Sequence, residues 1–185
     1  MNFIRLDELN VINAYATDFF TSIHSPFLTK FFLVLTDIGN PVHIALYCLV
    51  LVMVMWLHKK YEHIIQFCVT IGVSAMVAYV TKILVQLPRP PGGVIQETGY
   101  SFASAHAMIA VVFCVLVIYA YKNHFQNIWG RRCFVFLLSL ACVCVGLSRV
   151  YLGVHYMTDV LAGALIGLII ACISIVMHER HWRNN

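Results

Sequence analysis

The chain has 185 residues, of which 61% are hydrophobic and only 11% charged, and its mean hydropathy is +0.84. No soluble domain of this size has that composition, so the sequence reads as an all-α integral membrane helical bundle. The net charge of +4 comes from short basic loops, with no run suited to nucleic acid.

In chain order, Leu9, Ile12, Ala16, Phe19 and Ile23 recur at helical spacing, with Asn13, Thr17 and Thr21 turned elsewhere. This pattern predicts an amphipathic helix within residues 1–25, lying in the membrane interface. A short apolar segment, 27–35, ends at Asp37-Ile38-Gly39-Asn40-Pro41, a cluster of turn formers that breaks a helix. Five apolar runs follow at 42–57, 64–87, 104–121, 133–147 and 160–177, each close to the ~20 residues that cross hydrocarbon. The shorter runs are completed by snorkelling Lys59, Lys60, Lys122, Arg131, Arg132 and Arg180 and by interfacial Trp56 and Trp129. Five spans are expected, or six if segment 3–24 or 27–38 also crosses. The resulting plan is an interfacial helix (1–25), a transmembrane domain (26–178) and a short basic tail (179–185). No cationic start leads into a clean apolar core, so no cleavable signal is expected. The seven cysteines sit inside or at the edges of apolar runs and read as small buried hydrophobes.

Spans alternate in direction, so Lys59, Lys60, Lys122, Arg131, Arg132, Arg180 and Arg183 land on one side. The positive-inside rule makes that side, with the carboxyl terminus, cytoplasmic. Lys82, Arg89, Ser104, His106, Arg149, His155 and Asp159 collect on the other. Ionised groups at membrane depth are costly unless paired or facing a polar cavity, so this cluster marks a functional site. The stretch from Ser148 to Asp159 is its densest part.

The residue types select an anion. Arg presents a planar fork matched to phosphate oxygens and Lys a point charge, so Lys82, Arg89 and Arg149 suit a phosphoryl group. Ser104 adds a hydroxyl, and the N–H groups of Ala105 and His106 at a helix start point toward the same anion. His155 and Asp159 are four apart, so on a helix the carboxylate can hold one imidazole nitrogen and leave the other as a nucleophile. His106 is then free to act as proton donor.

These motifs resemble those of the type 2 phosphatidic acid phosphatase (PAP2) superfamily of membrane lipid phosphatases. Its first motif, Lys, six residues, Arg-Pro, is matched by Lys82 through Arg89-Pro90, and its third by Ser148, Arg149, His155 and Asp159. The second, usually Pro-Ser-Gly-His, reads Ala103-Ser104-Ala105-His106, with both Pro and Gly replaced by Ala. A match to four fixed positions arises by chance only about once in 10^5 trials at ~5% per residue. The resemblance implies a metal-independent hydrolase with no cofactor, acting on a lipid phosphate in the bilayer. By it His155 is the nucleophile, His106 the acid and base, and Asp159 the orienting carboxylate. Lys82, Arg89, Ser104, Ala105 and Arg149 are then the phosphate holders. Undecaprenyl diphosphate, phosphatidylglycerol phosphate, phosphatidic acid and lipid A 1-phosphate are the candidate substrates, in a bacterial inner membrane with the site facing outward. Transfer to a lipid acceptor by the same intermediate, a transporter, and a metal site on His106, His155 and Asp159 are the alternative functions.

Other polar residues have simpler readings. His24, His43, His58, His63, His124, His178 and His181 sit at run ends or in loops, where solvation explains them. Asp37 and Asn40 read as turn residues, while Gly92, Gly93 and Gly99 let the loop after Pro91 fold over the site. Tyr100, Phe102 and Tyr151 read as interfacial aromatics or lipid contacts.

Overall fold

A computed structural model describes residues 6–39 and 41–183; Asn40, one of the expected turn residues, and the ends of the chain lie outside the described residues. The described residues form seven α-helices and contain no strand: α1 (Leu6–Ser22), α2 (Pro26–Ile38), α3 (Pro41–Leu57), α4 (Tyr61–Val85), α5 (Ala105–Tyr121), α6 (Ile128–Tyr151) and α7 (Met157–Arg183). A single 3-10 turn, Lys122–His124, joins α5 to α6. Helices α4, α6 and α7, and α5 together with the 3-10 turn that extends it to His124, are each long and apolar enough to cross a bilayer. The segments Pro26–Ile38 and His43–Leu57, bent by 55° at their break, meet the same standard only as a pair, which gives four to five candidate spans. The chain is an integral membrane protein.

Local chemistry sets the helix starts. Ser25 keeps an extended backbone and its hydroxyl accepts the N–H of Leu28, with Pro26 pre-set for the first turn of α2. Asn127 caps α6 in the same way through the N–H of Trp129, and Ser104 caps α5 through that of Ala107. At the far end of α4, Gln86 turns into the left-handed region (φ 51) and its N–H closes onto Lys82, releasing the chain into the long loop before α5.

The most enclosed helix is α5, which buries Ala107, Met108, Val112, Cys114, Leu116, Val117 and Ala120 against its neighbours. Its closest partner is α7. A Cβ added to Gly163 would collide with the carbonyl of Ser104, and one added to Gly167 would sit 2.5 Å from that of Met108. Two glycines four apart thus let the two backbones touch, the small-residue packing that substitutes for a hydrophobic driving force in lipid. The outward surfaces of α4 and α7 are apolar, with Ile65, Val69, Met76, Leu161, Leu165 and Ile173 exposed where acyl chains would cover them.

Several expectations are corrected. The fourth span runs to Tyr151, so Ser148 and Arg149 lie in the last turn of α6 and not after it. A cation there also meets the negative end of the helix dipole. The expected basic tail is helical through Arg183, continuing α7 without a break. The face of α1 toward the bundle is Ala16, Phe20 and Ile23, with Asn13 accepting the N–H of Thr158 at 3.1 Å. Ile12 and Phe19, expected on the apolar face, are exposed to the outside, along with Val11 and Tyr15. The helix is thus apolar on two sides, one for the bundle and one for its surroundings. Tyr151 is no lipid contact: it is buried against Phe20, His24 and Phe32, and its hydroxyl reaches the Ser25 N–H and the Thr29 hydroxyl. His24, expected to be solvated, reaches the Tyr151 carbonyl at 3.0 Å. Only Cys114 of the seven cysteines is buried; Cys48, Cys142 and Cys144 are half-buried, and Cys68, Cys133 and Cys172 are exposed.

Changing Gly167 to Val should overpack the α5–α7 contact and cost about 1–3 kcal/mol. Gly72→Ala on α4, where an added Cβ meets nothing within 4 Å, should be neutral or stabilising by up to ~1 kcal/mol. Thermal unfolding in detergent compares them, and equal melting temperatures for the two variants would rule out the glycine contact as a determinant of packing.

Candidate active site

The end of the bundle formed by the close of α4, the start of α5, the close of α6 and the start of α7 gathers the polar residues that the apolar surface lacks. Ser101, Ser104, Ser148, Arg149, His155 and Asp159 are all buried there. Their positions follow from backbone connections. The N–H of Ser104 donates to the Asp159 carbonyl at 3.1 Å, so the start of α5 is tied to the start of α7. The N–H groups of Val154 and His155 both donate to the Arg149 carbonyl, at 3.1 and 3.2 Å, folding the chain back tightly after α6. Gly153 makes that turn at φ +67, and its Cα side lies against Gly93, where an added Cβ would come within 2.8 Å. Val94 N–H donates to Leu152 at 2.9 Å, so the loop does lie over the α6–α7 turn.

His155 sits between two sets of partners. Arg89 Nη1 lies 3.3 Å from its Nε2, and guanidinium N–H groups only donate, so Nε2 holds a lone pair and Nδ1 the proton. Nδ1 faces the Ser101 hydroxyl at 3.3 Å and Asp159 Oδ2 at 3.5 Å. Ser101 in turn donates to Asp159 Oδ2, which also accepts the N–H of Tyr156 at 2.9 Å. Ser101 is thus a missing member of the expected site. His155 precedes α7 instead of sharing it with Asp159, and the carboxylate reaches it from the helix's first turn. Burial pushes the His155 imidazole below its ordinary pKa; the Asp159 contact opposes this, while Arg149, Arg89 and Lys82 add to it.

The cations are held differently from one another. Arg89 donates to the carbonyls of Gly99 at 3.2 Å, Thr98 at 3.3 Å and Val154 at 2.9 Å. Lys82 donates to the Tyr100 carbonyl at 2.7 Å and lies 3.5 Å from that of Ser101, so its ammonium fastens the loop. Arg149 is 1% exposed and donates to the Thr36 hydroxyl and to Glu97, while its buried Nε has no partner among the described residues. Glu97 also pairs with Arg89 Nη1 at 3.1 Å. Burial alone would raise the Glu97 pKa, but Arg149 and Arg89 hold it below the usual carboxylate range. Neither Thr36 nor Glu97 stands out in the sequence, because each lies outside the three motifs and is brought in only by the fold of α2 and the long loop.

Ser104 caps α5 and is fully buried, so its hydroxyl oxygen is engaged with the helix it starts. Ala105 opens that helix without a positive φ, and Ala103 is fully buried against Ala78 and Met108. His106 lines two cavities at once. One, of about 520 Å³, is bounded by Thr36, Asp37, Glu97 and Arg149. The other, of about 160 Å³, is almost wholly apolar and runs between α3, α5 and α6 past Tyr47, Ile109, Phe113 and Val145. A charged compartment and an apolar channel thus share one imidazole wall.

The chain resembles known proteins in both sequence and fold. Residues 63–183 match the model of the PAP2 superfamily. Phosphatidylglycerophosphatase B of Bacillus subtilis (strain 168) is 27% identical over 150 residues, covering 80% of this chain and 74% of that protein. A lipid A 4'-phosphatase of Bacteroides thetaiotaomicron is 22% identical over 181 residues, covering 88% and 75%. In structure, the first transmembrane PAP2 type phosphatidylglycerolphosphate phosphatase from Bacillus subtilis superposes with a TM-score of 0.87 at 23% identity, covering 96% of this chain and 89% of that one. With three motifs meeting at one end of a membrane bundle and a family match over the same residues, this chain belongs to the PAP2 superfamily of membrane lipid phosphatases.

Proposed function

We propose that the chain releases phosphate from a membrane lipid through a covalent phosphohistidine on His155. The observation that carries this reading is the clamp on that imidazole: Arg89 N–H at Nε2, the Ser101–Asp159 pair at Nδ1. It leaves a neutral ring with a lone pair aimed at the cations, as a nucleophile toward phosphorus must be. In the first step the Nε2 lone pair forms the N–P bond while the bond from phosphorus to the lipid oxygen breaks, and His106 gives that oxygen its proton. The imidazole becomes a cation, which Asp159 stabilises, and Arg89 and Arg149 take the charge on the phosphoryl oxygens. In the second step His106 takes a proton from water, whose oxygen attacks phosphorus, and the N–P electrons return to Nε2. The backbone N–H groups at the start of α5 and the Lys82 ammonium complete the phosphate environment.

A lipid is favoured because the apolar channel between α3, α5 and α6 reaches His106 from the hydrophobic side. The phosphate would lie between Arg89, Arg149 and His155, with the lipid tail on the apolar side of His106. The relatives named for phosphatidylglycerophosphate and lipid A support a bacterial envelope lipid as substrate. The basic ends near Lys59, Lys60, Lys122, Arg131 and Arg132 lie at the opposite end of the bundle, so the positive-inside rule favours an outward-facing site in the inner membrane and a cytoplasmic carboxyl terminus.

Purified protein in detergent should release inorganic phosphate from a panel of lipid phosphates, and His155→Gln should lower that rate by at least ~10^3-fold with the fold intact. Substantial turnover by that variant would refute the covalent step. His106→Ala should lose ~10^2-fold or more with a lipid alcohol as leaving group and much less with an aryl phosphate, whose leaving group needs no proton. An equal loss on both substrates would remove His106 as the acid. The His155 imidazole should titrate below pH 6.5 in a nitrogen-15 NMR titration, so that it is neutral and nucleophilic above that midpoint. Asp159→Asn should lower the midpoint further, since the Asp159 contact is the influence that raises it. A midpoint at or above the ordinary value would mean that burial and the three cations do not govern this ring.

A further inference from the structure

We infer that Glu97 is an internal substitute for the substrate phosphate, which the substrate displaces on binding and which expels the product phosphate on returning. This rests on the phosphatase reading and adds to it a residue outside the three motifs. The carboxylate bridges the two arginines, accepting from Arg149 Nη2 and lying 3.1 Å from Arg89 Nη1. That same Nη1 is 3.3 Å from His155 Nε2. A carboxylate oxygen and the nucleophilic nitrogen therefore converge on one guanidinium nitrogen, in the space where a phosphoryl group must lie to be attacked. Phosphate and Glu97 cannot both fill it.

The burial pattern says which partner moves. Arg149 is held at 1% exposure in α6, whereas the Glu97 side chain is 29% exposed and belongs to the long loop between α4 and α5. Gly92 and Gly99, on either side of it in that loop, both have positive φ and empty space around the missing Cβ. Arg149 stripped of its carboxylate would be a buried cation without its counter-charge, an unfavourable state. Glu97 therefore leaves only when another anion arrives, and the event is an exchange. The charges fit: with Glu97 inside, two carboxylates face Lys82, Arg89 and Arg149, and with it withdrawn a phosphate monoester near −2 takes its place. Arg89 keeps hold of the Thr98 and Gly99 carbonyls, so the loop stays attached while the side chain swings.

The test compares wild type, Glu97→Gln and Glu97→Asp, using the full chain in detergent, with inorganic phosphate as the probe. Its binding is measured by calorimetry and by inhibition of turnover. Removing the internal competitor should tighten phosphate about tenfold or more in Glu97→Gln, lower KM, and lower kcat as product release slows. Glu97→Asp, which keeps the charge on a shorter arm, should stay closer to wild type than Glu97→Gln does. If Glu97→Gln instead weakens phosphate and raises KM, the carboxylate merely orients the arginines and the exchange is overturned. Unchanged phosphate affinity in both variants overturns it equally. Failure of the phosphatase reading looks different: wild type would release no phosphate from any lipid phosphate, whereas the calorimetric comparison does not depend on turnover.

Discussion

A guanidinium buried in the last turn of a membrane helix is the constraint around which the rest is arranged. Arg149 is almost wholly withdrawn from the surface, and a buried ion of that size is stable only when it is paired. Thr36 from α2 and Glu97 from the loop meet it, and its own carbonyl accepts the N–H groups of Val154 and His155. The residue therefore joins α2, the loop and the α6–α7 turn, and the backbone that satisfies its carbonyl is the backbone that sets the His155 ring. The buried guanidinium and the imidazole are parts of one network.

A second arrangement supports the first from below. The bundle would have no reason to hold α5 and α7 at a fixed height in lipid, where apolar surfaces slide at little cost. Gly163 and Gly167 remove that freedom by letting the helix backbones interlock at Ser104 and Met108. The interlock sets the register between His106 and Asp159, and the Ser104-to-Asp159 backbone hydrogen bond fixes it at the helix starts.

The spans are legible in the sequence, because long apolar runs and charges at their ends are local signals. Lys82, Arg89, Arg149, His155 and Asp159 gather as parity of the spans requires, and the loop does cover the α6–α7 turn. The boundaries are less legible. Arg149 reads as a loop residue when hydropathy alone ends a helix, yet the helix continues because its own charged side chain finds partners. Ser101, Thr36 and Glu97 were invisible for a different reason: a lone hydroxyl or carboxylate in a loop has no pattern, and its meaning comes from what the fold sets beside it. Tyr151 and Phe20 show the same effect in packing, where a ring that looks interfacial is the peg on which α1 and α2 hang.

The backbone interlock of α5 with α7 has a bearing on biosynthesis. Helices enter the bilayer in chain order, so α5 and its imidazole are delivered, and α6 with its guanidinium after it, while the glycines that receive α5 are still to be made. Until α7 arrives, the first turn of α5 lacks its backbone acceptor and Arg149 has no folded turn beyond it. The start of α5 is therefore tied down only when the start of α7 brings the Asp159 carbonyl to the Ser104 N–H.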